Sequence, residues 1–262
     1  MIAAFRAEFV KLLRRRVLVI TAVVTAAFAV GSAAVLLTSA EPAGQRVEGR
    51  GVTVATLSEA GGGTQVFTTA VSFAGSLLFV LFVGAVAVEF SRGTFRTMLL
   101  HQPRRVRLLA GKMAALIAFA AVVLAATETL TWVTARLLAP SQGVATARWL
   151  SLAAFADGIR DFGSALFWVG GYALLAMAVA VLVRSVPVAL AIGIAWIGPI
   201  EHILQDRWGP ASRVFPGLLL EAFVAGGTSA VSAARALVTI ACYVAIAVAV
   251  GATVFARRDI AA

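Results

Sequence analysis

One cysteine and two histidines in 262 residues leave this chain poor in the side chains that form disulfides and hold metals. Cys242 has no partner for an intramolecular bridge, and with His101 and His202 it falls short of the three or four ligands of a dedicated Cys/His metal cage. Charge is scarce as well. Asp, Glu, Lys and Arg make up 13% of positions, against roughly a quarter in soluble domains. The patterns G-x-x-x-x-G-K-[ST], H-E-x-x-H and G-x-S-x-G are all missing. The chain therefore lacks a phosphate cradle, a zinc-protease helix and a serine elbow of its own. No catalytic, cofactor-binding or metal-binding residue is expected, and the chain is not expected to be an enzyme.

What fills the chain instead is apolar: 61% hydrophobic residues and a mean hydropathy of +0.97. This composition predicts an all-α integral membrane protein, because an isolated spanning segment in lipid must satisfy its own backbone polar groups. Val17–Ala40 is uncharged for 24 residues, against the roughly 20 needed to cross the hydrocarbon. Thr38-Ser39-Ala40 looks like a signal cleavage site, but the apolar core is longer than the roughly 7 to 15 residues of a signal peptide, so an uncleaved span is expected. Further spans are expected at about 66–88, 113–138, 162–183, 187–204 and 236–256, making six in one transmembrane domain. The fifth is short and contains Gly198-Pro199. Between spans, 41–65 reads as an exposed loop rich in Gly and Thr, and 201–227 as an outer interfacial segment of one or two short helices. Small-residue pairs such as Ala189-x-x-x-Gly193 and Ala247-x-x-x-Gly251 allow helices to approach closely, within one chain or between two copies.

Before the first span, residues 1–16 place Ile2, Phe5, Phe9 and Leu12 or Leu13 on one stripe, with Arg6, Lys11, Arg14 and Arg15 largely off it. Such a segment is expected to lie in the headgroup plane. An even number of spans puts both termini on one side, and the charges test this separately. The inside segments carry 14 Lys/Arg against Glu8, Glu89 and Asp259, whereas the outside segments carry eight of each sign. That asymmetry predicts cytoplasmic termini. It also assigns the net charge of +10 to a membrane surface, where anionic lipid attracts it, so no nucleic-acid partner is expected.

Six of the inside cations lie in Glu89–Lys112, EFSRGTFRTMLLHQPRRVRLLAGK. Phe95, Met98 and Leu99 recur at helical spacing while Arg92 and Arg96 share another face, and Gln102-Pro103 ends the pattern. The set Glu89, Arg92, Gly93, Thr94, Arg96, Pro103, Arg104, Arg105 and Lys112 resembles the cytoplasmic coupling loop of ABC-2 type transporter permeases. The basic amphipathic start, six spans and Phe255-Ala-Arg-Arg-Asp259 near the end extend the resemblance over nearly the whole chain. It implies a cell-membrane permease that exports an amphiphilic or hydrophobic compound. It also implies a coupling helix that docks on a separate ABC ATPase subunit present in two copies, with ATP and Mg bound there, and a second permease copy or homologous chain. A scaffold or sensor without transport, binding a soluble partner or anionic lipid through the same loop, is the alternative. Glu128, flanked by Thr127 and Thr129 inside the third span, and Glu201 with His202 are the candidate pathway or gating residues, with structural polar contacts as the competing role.

Overall fold

The computed structural model describes residues 1–41, 52–73, 75–94, 98–99, 104–195 and 200–257. The α-helices among them are α1 (Ile2–Leu12), α2 (Arg15–Thr38), α3 (Val54–Leu57), α4 (Gly62–Phe73), α5 (Gly75–Ser91), α6 (Arg105–Leu138), α7 (Leu152–Val183), α8 (Val186–Ala195), α9 (Glu201–Arg207), α10 (Pro216–Val224) and α11 (Ala233–Arg257). Short 3-10 turns cover Ala139–Gln142, Ala147–Leu150 and Gly209–Arg213. Among the described residues the chain is all-helical, without a strand. Among the described residues four helices are long and apolar enough to cross a membrane: α2, α6, α7 and α11.

The other two expected spans take a different form. The segment at 66–88 is helical as α4 and α5, on either side of residue 74, which lies outside the described residues. The fifth, expected at 187–204, is helical as α8 and again from the start of α9, on either side of 196–199, which lie outside the described residues. Gly198-Pro199 lies outside the described residues, as do Arg258, Asp259 and 42–51. Conversely, α6 and α7 run for 34 and 32 residues, about 50 Å each, and so exceed the roughly 30 Å core.

The chain divides into two compact units. One comprises Leu12–Phe73 and Ala120–Leu166. In it Thr25, Ala29, Ala33 and Leu37, four residues apart, form the buried stripe of α2. Ala33 and Leu37 join Val52, Leu57, Val66, Ala135, Val144 and Trp149 in one core. The stretch from Val52 to Glu59 is therefore better packed than an exposed loop: Val52 and Leu57 are buried, and Trp149 Nε1 donates to Leu57 O at 2.8 Å. Gly63 makes room for this, since a Cβ there would lie 2.7 Å from Trp132.

The other unit comprises Met1–Lys11, Ala74–Phe119 and Phe167–Ala262. Here α5 packs on α8 and α10 on α11. Trp168 and Tyr172, both buried, meet edge to face at 5.0 Å. The segment expected at the outer interface supplies core: from Gly217 to Val224 only Phe223 is less than buried, and it packs on Phe167. Ala189 and Gly193 are buried, and Gly251 lies against Ala178, so these small residues serve contacts within the chain.

Candidate functional site

Helix α1 turns Ala4 and Glu8 inward, one turn apart, with Lys11 on the adjoining edge. It lies directly on the start of α6 because residue 111 is glycine. A Cβ at Gly111 would fall 2.6 Å from Met1 O and 2.9 Å from Ala4 Cβ. The next residue, Lys112, is thereby brought against α1, and its side chain is only 4% exposed.

Lys112 Nζ donates to Glu8 Oε1 at 2.6 Å and to Glu89 Oε1, near the end of α5, at 2.7 Å. Lys11 Nζ donates to Glu8 Oε2 at 3.0 Å and lies 3.6 Å from Glu89 Oε1. The four charges alternate in sign around a closed ring and sum to zero. A buried ammonium forfeits hydration worth several kcal/mol, and only close, hydrogen-bonded carboxylates offset that loss. Burial alone would push the Glu8 carboxyl up. Hydrogen bonding to Lys112 and its charge, joined by those of Lys11, outweigh burial and hold Glu8 below the ordinary glutamate value. Partial desolvation works against the charge of Lys11, but Glu8 and then Glu89 hold its ammonium above the ordinary lysine value.

Glu89 and Lys112 are the two ends of the basic segment, 23 positions apart, and their contact closes its neck. Gly93 has φ +65°, the left-handed conformation that suits a helix-ending glycine, and it follows α5 by two residues. Arg92 and Arg104 are exposed and Thr94 is half-buried. Arg105 Nη1 donates to Ala256 O near the end of α11 at 3.4 Å. Arg96 and Pro103 lie outside the described residues, together with much of the expected coupling helix. The ring thus brings together Glu89 and Lys112 from the sequence-derived set and adds Glu8 and Lys11, which sequence reasoning used only as charges. Glu8 carried one signal, as the single acid among the cations of residues 1–16.

The remaining candidates lie elsewhere. In the unit that contains it, half-buried Glu128 approaches Gly158 of α7, whose Cβ would lie 3.5 Å from Glu128 Oε1, and it is within electrostatic reach of Asp161. Glu201, fully buried, accepts the Leu218 N–H at 3.0 Å through Oε2, and so caps the N-terminus of α10 from another helix. His202 Nε2 lies 3.4 Å from Glu221 Oε1. Gly217 keeps the Glu201 carboxylate in place, since a Cβ there would stand 2.5 Å from Oε2. Gly217→Ala should displace the cap and cost roughly 1–3 kcal/mol in thermal unfolding. An unchanged Tm would show that Glu201 does not hold α10.

Among the described residues no three His, Cys, Asp or Glu side chains converge as a metal site requires. No known family model and no curated protein matches this chain.

Proposed function

We propose that this chain is the permease subunit of an ABC-2 type transporter, a multi-pass cell-membrane protein with six crossings and both termini cytoplasmic. It works beside a second permease copy or homologous chain, and two ABC ATPase subunits bind ATP and Mg and dock on the 89–112 loop. Export of an amphiphilic or hydrophobic compound is the transport direction this reading takes.

The observation that carries the reading is the closed neck. A loop whose ends are held at 2.7 Å and tied to the N-terminal helix moves its two flanking helices together when a partner displaces it. A slack loop would absorb the same displacement in its own torsions. Rigid-body motion of a partner is thereby converted into motion of α5 and α6, as coupling to ATP-driven closure requires. Arg92 and Arg104 stand exposed on this segment for an acidic surface on the ATPase.

The test is reconstitution. The tagged chain is purified from its own host membranes after mild crosslinking, and the captured proteins are identified and assayed. A P-loop ATPase in about equal copy number, hydrolysing ATP faster with the permease than without it, is the expected result. Recovery of the folded chain with no P-loop protein would favour the scaffold.

A further inference from the structure

Beside the charge ring a groove of about 620 Å³ runs along α5 and α8. Leu81, Gly84, Ala85 and Val88 of α5 form a continuous apolar stripe at helical spacing, and Leu190 of α8 lines the groove with them. The recess exists because Gly84 and Ala85 are small. The nearest atom to a Cβ at Gly84 would be Leu190 Cδ2, at 3.7 Å. At its other end the lining changes to Glu89, Lys11, Arg92 and Thr94.

We propose that this groove binds one anionic phospholipid, its phosphate between Lys11, Arg92 and the Thr94 hydroxyl and an acyl chain along Leu81 to Val88 and Leu190. The inference rests on the membrane character of the chain; it shares Arg92 with the proposed docking surface, and lipid retention by the chain alone reads it separately from any ATPase.

Two features select this occupant. The first is charge: Glu89 already lies against Lys112 and Lys11, and the ring is neutral, so Arg92 leaves the polar end with a net positive charge. An anion is attracted there, and a zwitterionic headgroup carries its own competing cation. The second is length. From Leu81 to Arg92 the helix rises about 16 Å, close to one leaflet of a roughly 30 Å hydrocarbon core. A soluble anion would leave the apolar wall uncovered, and a neutral apolar molecule would leave the cationic end unanswered. By contrast, the recess of about 460 Å³ along α7, α8, α10 and α11 is lined, among the described residues, by no charged side chain, so none of them selects a headgroup.

The experiment uses the full-length chain, delipidated in neutral detergent and titrated with phosphatidylglycerol or phosphatidylcholine. Bound lipid is counted by native mass spectrometry. Phosphatidylglycerol should be retained roughly fivefold over phosphatidylcholine, a preference of the size one or two partly exposed charge contacts supply. Arg92→Gln, at an exposed position, should reduce that preference to less than about twofold while chromatographic and helical signatures stay intact. Ala85→Phe fills the recess without changing charge and should lower retention of both lipids by roughly threefold or more. Equal retention of the two lipids by the unmodified chain overturns the proposal. So does an unaltered preference in Arg92→Gln, unaltered retention in Ala85→Phe, or displacement of bound lipid by glycerol 3-phosphate, which would mark a site for the soluble phosphate alone.

Discussion

Replacing Lys112 by Met should destabilise the protein by about 3–5 kcal/mol, the usual consequence of removing one partner from a buried ion pair. The large value follows from burial: the Lys112 side chain is 4% exposed, and Glu8 and Glu89 are 11% and 13% exposed. Two carboxylates that shared an ammonium would be left with Lys11 alone. The pH dependence should change sign with the substitution. In the unmodified protein Glu8 is held below its ordinary value. Its contribution is therefore complete above the ordinary glutamate range of about 4.3 and is lost as pH falls through the depressed value. In Lys112→Met the effect of burial comes to the fore, and mild acid should raise Tm. A triple change, Glu8→Gln, Glu89→Gln and Lys112→Met, should recover much of the loss, because replacing every charge removes the uncompensated one. Thermal unfolding from neutral to acid pH, followed by tryptophan fluorescence, checks all three. If Lys112→Met melts with the unmodified protein, the ring does not hold α1 to the loop.

On the proposed reading, reversing charge within the 89–112 segment should act on partnership and leave the fold intact. Arg92→Glu with Arg96→Glu is expected to leave the chain inserted and helical, to prevent co-purification with the proposed ATPase, and to abolish the proposed transport. Arg92 is exposed, and Arg96 lies outside the described residues, so the pair is chosen on the sequence pattern of the loop. One exposed ion pair is worth only about 0–1 kcal/mol, so a single neutralisation is tolerated. Two reversals place like charges against the partner, where truncating even one desolvated charge costs roughly 2–5 kcal/mol. Pull-down and transport in vesicles decide the matter. Assembly and transport at the unmodified rate would reduce the loop to a topology signal and would remove the coupling role.

Hydropathy located the long helices, two of which begin ahead of the apolar run read as a span. The first and sixth spans, read at 17–40 and 236–256, correspond to α2 and α11 within a few residues. The third, read from Met113, begins as a helix at Arg105, and the fourth, read from Phe162, begins at Leu152. In both, charged residues precede the apolar run, and a helix tolerates Lys112 or Asp157 where a hydropathy window stops. Glu89 and Lys112 were legible as loop ends because they bracket a basic run. The contact of Lys112 with Glu8 was not, because it joins positions 104 apart and depends on the bare backbone at Gly111. The capping role of Glu201 was hidden in the same way, since its acceptor geometry is set by a helix that begins 15 residues later at Pro216.

The same separation imposes an order on biosynthesis. Glu8 and Lys11 leave the ribosome early, and at roughly 5–20 residues per second Lys112 follows about 5–20 seconds later. For that interval the N-terminal helix has only its internal i, i+3 pair, 3.0 Å long and partly exposed, to neutralise its acid. Its final seat forms only after α5 has been made and α6 has begun. Docking of the first element in the chain is thus a late event, and it reports that the segments carrying Glu89 and Lys112 have come together.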